Sequence, residues 1–201
     1  MWCKTEMLCT LDSMFEIILK NIYNLTIRNK MKKIVIGMLI VFLTVNLQAS
    51  KIIKTYDFTD NNNNQVVLQS MESGVYSPTF KGKVILLAFF GKNCPPCLAE
   101  IPELVKLQKE YSKKFQIIAM HVQQKMTKEE LTNFVSMHNI DYPVIPSSNK
   151  AFDLVNFISS KTSWGGQIPF SILLDKNGVA HKTYLGMQRV ETLTKDITSL
   201  F

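Results

Sequence analysis

Apolar and polar residues alternate over residues 52–58 and again over 66–68, on either side of the polar block Asp60-Asn61-Asn62-Asn63-Asn64. Alternation of period two around turn-forming residues predicts a β-hairpin. Lys81-Gly82-Lys83 marks a second turn, and residues 84–90 (VILLAFF) form an unbroken apolar run of strand length. A strand with no polar face suits the centre of a sheet covered on both sides. Gly91 breaks that run. Leu98, Ile101, Leu104, Val105 and residues 107–111 then place apolar side chains three and four apart, which predicts a helix. Lys113-Lys114 at its end complements the helix dipole. Residues 115–122 read as the next strand. Thr127 followed three residues later by Glu130 is a capping box, opening a helix that runs to about His138. Residues 142–145 suggest a short extended piece and 151–158 a short helix. The turn Asp175-Lys176-Asn177-Gly178 between residues 170–174 and 179–185 predicts a second hairpin. Residues 190–200 predict a closing helix.

Strand, helix, strand, helix, hairpin and helix in that order predict an α/β domain over residues 51–201. Its mixed central sheet carries helices on both faces and an N-terminal β-hairpin extension. No internal repeat or low-complexity linker interrupts it. Upstream, Met31-Lys32-Lys33 is a positive start, residues 34–45 are apolar, and Asn46-Leu47-Gln48-Ala49-Ser50 is small and polar. That order describes a signal peptide over 31–49, or an N-terminal membrane anchor if it is not cleaved. The apolar run is short of the ~20 residues a spanning helix wants. Residues 1–30 precede a signal that begins with its own Met. They read as a leader ahead of the true start, or as an amphipathic leader in their own right.

Composition narrows the picture further. Hydrophobic residues make up 46% of the 201 and charged residues 19%, a globular balance. The net charge of +7 is partly a property of the front: residues 1–49 hold six Lys or Arg against three acids, leaving 17 against 13. With no dense basic run, nucleic acid is not an expected partner.

Two of the four cysteines, Cys3 and Cys9, fall in the leader, which leaves Cys94 and Cys97 in the domain. A single close pair is no disulfide framework. Cys94-Pro95-Pro96-Cys97 sits where a strand breaks and a helix begins. Cys94 is then at the helix N-terminus, where free N–H groups and the dipole stabilise a thiolate, the attacking species in disulfide exchange. Pro96 in the first turn loses no hydrogen bond. Cys97, one turn in, can resolve a mixed disulfide. Zinc needs two further ligands, and His121, His138 and His181 are scattered. Haem attachment needs His after the second Cys, where Leu98 stands. A structural disulfide closing so short a loop stabilises little.

Residues 84–102 (VILLAFFGKNCPPCLAEIP) and 166–178 (GQIPFSILLDKNG) resemble the thioredoxin superfamily, in its exported branch of TlpA, ResA and DsbE-like cytochrome-c-maturation proteins. The resemblance implies a thioredoxin fold, with Cys94 as exposed nucleophile and Cys97 as resolving cysteine. It implies a cis bond at Ile168-Pro169, against the disulfide, with the Ile168 backbone open to an extended substrate peptide. Pro95 and Pro96 would border that substrate. Glu100 resembles the branch's acidic residue, a partly buried carboxylate that exchanges a proton with Cys97. Ordinary thioredoxins have a buried Asp where Ala88 stands, and a Trp where Asn93 stands. Trp164 is a candidate to supply that aromatic to the substrate surface, or else a core residue. Lys92 either lowers the Cys94 pKa or is a solvated charge.

The implied function is thiol–disulfide exchange at the periplasmic or outer face of the cytoplasmic membrane. It would need no cofactor beyond the Cys94–Cys97 disulfide and no metal. Its partners would be cysteine-containing exported proteins and a membrane electron donor of the DsbD/CcdA type, with the protein itself a monomer. The branch favours a reductase. A disulfide-forming oxidant and a non-catalytic binding or chaperone module are the alternatives. Copper delivery lacks a gathered His and Met set, and peroxidase chemistry lacks a Thr-x-x-Cys setting.

Overall fold

The computed structural model describes residues 51–201. The leader over 1–30 and the signal or anchor over 31–49 lie outside the described residues. β1 (Ile52–Thr59) and β2 (Gln65–Met71) pair antiparallel, with Tyr56 opposite Leu68 and Phe58 opposite Val66. Asp60 organises the turn between them by accepting the N–H groups of Asn62 and Asn64 at 2.9 and 2.8 Å. The hairpin carries a third strand, β3 (Gly74–Tyr76), which the sequence pattern did not indicate. Three residues are too few for a period to show. A 3-10 turn, Pro78–Phe80, leads into the main sheet.

The chain then runs through β4 (Val84–Phe90), α1 (Pro95–Tyr111), β5 (Phe115–His121), α2 (Lys128–Met137) and β6 (Val144–Ile145). It continues through α3 (Asn149–Thr162), β7 (Phe170–Leu174), β8 (Ala180–Leu185) and α4 (Val190–Thr198). The strands lie in the order β6-β5-β4-β7-β8, with β4 parallel to β5 and antiparallel to β7. Every residue of β4 and of β5 is buried, as the apolar runs require of central strands. Helix α1 begins at Pro95, earlier than the apolar spacing indicates, and α3 extends beyond 151–158 in both directions.

Successive β4 side chains enter opposite cores. Val84, Leu86 and Phe90 pack with Ile101, Leu104 and Leu107 of α1, Leu131 of α2, and Leu193 and Ile197 of α4. Ile85, Leu87 and Phe89 pack with Ala151, Leu154 and Ile158 of α3 and with Tyr56, Phe58, Val66 and Leu68 of the three-stranded sheet. Cys94 and Cys97 belong to the first core and Trp164 to the second. Among the described residues no helix is long and apolar enough to cross a membrane.

Candidate active site

Cys94 is the N-cap of α1. Its backbone is extended, its Sγ accepts the Cys97 N–H at 3.3 Å, and its carbonyl accepts the Leu98 N–H at 3.0 Å. Pro95 and Pro96 occupy the first two helical positions, where an absent N–H leaves nothing unpaired. Cys94 and Cys97 form a disulfide with their Cα atoms 5.2 Å apart. The Cys97 N–H and the dipole of α1 therefore point at the Cys94 sulfur and favour negative charge there once the bond is reduced. Cys94 is only 6% exposed, less than the resemblance implies. Its Sγ lies 3.8 Å from the Ile168 carbonyl oxygen, a plain contact while the sulfur carries no proton.

The Ile168–Pro169 bond is cis. Pro169 is buried while Gln167 is exposed and Ile168 half-buried, so the loop presents its backbone beside the disulfide. The Pro169 carbonyl accepts the Gly186 N–H at 2.8 Å, tying the loop to the end of β8. Trp164 is not part of this surface. It is 6% exposed, stacks on Phe170 at 4.4 Å and tilts against Phe89 at 4.9 Å. Its Nε1–H donates to the Gln167 carbonyl at 2.6 Å. An indole wedged between two core rings holds the loop from beneath, which is the core-residue alternative of its two readings.

Glu100 is half-buried one turn beyond Cys97, and its Oε1 accepts the Gln188 N–H at 3.0 Å. Burial pushes its carboxyl above the usual carboxylate range, and that one hydrogen bond opposes the shift. Behind Cys97 lies a cavity of about 20 Å³, bordered by Cys97, Glu100, Tyr142, Ala88, Pro169 and Phe170. Ala88, standing where ordinary thioredoxins carry Asp, leaves Glu100 as the carboxylate of this cavity. Lys92 is neither free nor fully solvated: its Nζ donates to Glu130 Oε1 at 2.8 Å, in an ion pair with the cap of α2.

Three residues that sequence reasoning missed complete the site. Gln123 reaches the loop before Cys94, its Oε1 accepting the Asn93 N–H at 3.0 Å. Gln188 supplies the N–H to Glu100 and Tyr142 a wall of the cavity. A lone Gln has no sequence signature, and Tyr142 showed itself only as the start of an extended piece before Pro143. Among the described residues no group of three or more His, Cys, Asp or Glu is placed to hold a metal ion.

A redox cysteine pair capping a helix, against a cis-proline loop on a mixed five-stranded sheet, points to one superfamily. Residues 68–197, well over half the chain, match the Redoxin family. The chain belongs to that family. It is similar to the thiol-disulfide oxidoreductase ResA of Bacillus cereus, 32% identical over 114 residues, or 56% of this chain and 61% of the relative. It is also similar to the thioredoxin-like protein YneN of Bacillus subtilis, 28% identical over 116 residues, 57% of this chain and 61% of the relative. The chain thus spans about three fifths of the length of these curated relatives. Among solved structures, a thioredoxin-family thiol:disulfide interchange protein from Chlorobium tepidum superposes with a TM-score of 0.61 at 20% identity. That match covers 75% of this chain and 96% of the other. At that identity the superposition establishes the fold, which is the thioredoxin fold. This Redoxin-family chain is a TlpA/ResA/DsbE-like member of the thioredoxin superfamily.

Proposed function

We propose that this protein is an extracytoplasmic thiol–disulfide oxidoreductase that reduces disulfides in exported proteins, such as those entering cytochrome c maturation. The observation that carries the reading is the Cys94 sulfur. It caps α1, it is bonded to Cys97, and it stands 3.8 Å from the Ile168 carbonyl at the edge of the cis-proline loop. A substrate strand laid along residues 167–169 by backbone hydrogen bonds would bring its own cysteine to Cys94. Pro95 and Pro96, both exposed, would flank that strand.

The reduced Cys94 thiolate attacks one substrate sulfur, forming a Cys94–substrate bond and releasing the other substrate sulfur as a thiolate. Cys97 gives its proton to Glu100 and its thiolate attacks Cys94. The Cys94–Cys97 bond forms, the Cys94–substrate bond breaks, and the second substrate thiolate takes a proton from solvent. Two electrons pass from the protein to the substrate, and the disulfide itself is the only redox group required. A membrane electron-transfer protein of the DsbD/CcdA type would restore the dithiol. The similarity to a thiol-disulfide oxidoreductase supports the exchange chemistry.

Insulin-disulfide reduction by the purified chain tests the chemistry. Cys94→Ser is expected to abolish turnover, and Cys97→Ser to accumulate mixed disulfides with partner proteins. Unchanged turnover by Cys94→Ser would falsify the enzymatic reading. Acid-quench alkylation in intact cells tests the direction: a reductase holds the pair mainly as thiols.

A further inference from the structure

We propose that Tyr142 is a positioning residue of the proton relay at Cys97, its hydroxyl joining the Glu100 carboxyl through a single water seated in the cavity behind the resolving cysteine. The inference rests on the disulfide-exchange reading and adds to it a residue that the Glu100–Cys97 pair by itself does not require.

The cavity volume of about 20 Å³ is enough for one water, which needs about 10–15 Å³, and too little for any larger ligand. Most of its wall is apolar, from Ala88 and Phe90 of β4, Ile101 and Leu104 of α1, and Ala119 of β5. Its polar lining comes from Cys97 and Glu100 on α1 and from Tyr142 on the segment before β6. Those are the two to four polar partners that a buried water needs. Tyr142 is 2% exposed and borders the same cavity as Glu100 and Cys97. A water seated in a space of this size would give the Tyr142 hydroxyl a partner, and an unpaired polar group inside a protein costs about 1–3 kcal/mol.

The charges around the pair are few. Asp141 lies beside Tyr142 and Cys97 is on the carboxylate's own helix. The segment before α4 offers Glu100 the neutral Gln188 N–H, with Arg189 next in the chain. Burial first, then Asp141 and Glu100, hold the Tyr142 hydroxyl protonated well above its ordinary range, so it serves as a donor throughout. A donor that reaches the carboxylate through water favours its charged form. That opposes the burial that pushes Glu100 up, and it keeps Glu100 available as the acceptor of the Cys97 proton. The bonds exchanged are those of the resolving step above. Tyr142 changes neither its protonation nor its covalent state.

The test is Tyr142→Phe in the full chain, which removes one oxygen and keeps the ring that packs in the core. Carbon NMR of the Glu100 carboxyl should show its titration moving upward by about half a pH unit or more. The acid limb of single-turnover insulin reduction should move with it, a loss of about threefold in rate below the midpoint. In a Glu100→Gln background the same substitution should change the pH profile no further. A second measurement needs no Tyr142 variant: the Tyr142 Cζ shift should inflect where Glu100 titrates, and the inflection should vanish in Glu100→Gln. An unmoved Glu100 titration together with a flat Tyr142 response overturns the inference. If the unmodified chain reduces no disulfide, the functional reading fails, and the two NMR titrations still decide the Tyr142–Glu100 coupling.

Discussion

At Gly91, where β4 gives way to the cysteine loop, an added Cβ would lie 2.1 Å from Gln123 Cδ. The glycine is therefore the space through which Gln123 reaches the Asn93 N–H and steadies the residues leading into Cys94. His121, at the end of β5, is fully buried, with no hydrogen-bond partner on either ring nitrogen, and stands edge-on to Phe90 at 5.4 Å. Burial first, then the nearby Lys92 charge, hold its pKa down to about 4 against an ordinary 6.5. The unfolded chain therefore takes up a proton between these values that the fold refuses. His121 withdraws no stability above pH 6.5, and stability is lost as pH falls from 6.5 through 4, by on the order of 3 kcal/mol in all. Urea midpoints at pH 7 and pH 4.5 should show that drop, and His121→Leu should flatten it while matching or exceeding the unmodified chain at pH 7. An equal acid drop in both proteins would contradict this account.

Among the elements, α1 and α2 carry the site. Pro102 lies inside α1. It cannot donate to the Leu98 carbonyl one turn back, a defect that bends helices. Helix α2 opens on the capping box read from Thr127 and Glu130: Thr127 Oγ1 accepts the Glu130 N–H at 3.1 Å, and Glu130 Oε2 accepts the Thr127 N–H at 2.8 Å. The other Glu130 oxygen holds Lys92, so the cap of α2 also anchors the loop before Cys94. Thr127→Ala is expected to lower stability by about 1 kcal/mol. The same variant should raise the exchange rate of the Lys92 and Asn93 amides, because the cap no longer fixes Glu130. Hydrogen exchange followed by mass spectrometry checks both effects, and unchanged exchange over residues 91–94 would separate the cap from the loop.

For the whole molecule, the three-stranded sheet closes one face of the main sheet through its own apolar residues and through backbone contacts. Gly74 bridges Val179, and the Ala180 N–H donates to the Ser73 carbonyl at 2.9 Å. The approach is so close that a Cβ at Gly74 would lie 2.3 Å from the Gly178 carbonyl oxygen, and one at Gly178 2.6 Å from Tyr76 Cα. The turn residues 60–64 do more than reverse the chain. Asn61 donates its N–H to the Val144 carbonyl at 3.0 Å and accepts the Val144 N–H on Oδ1 at 2.8 Å, satisfying the edge of the two-residue strand β6. Without that partner the edge would present unpaired backbone groups.

Local pattern alone located β1, β2, β4, β5, the β7–β8 hairpin, the α2 cap and the cysteine pair at a helix start, because each of these is written in side chains a few residues apart. Residue resemblance added the place of Ile168-Pro169 and of Glu100. Only the tertiary structure decided that Trp164 lies under the loop rather than on it, that Lys92 pairs with Glu130, and that Tyr142 shares a cavity with Glu100 and Cys97. Periodicity reports which face of an element is apolar. It does not report which polar atom, tens of residues away, that face will meet, since the meeting depends on how β4, β5 and the segments around them pack.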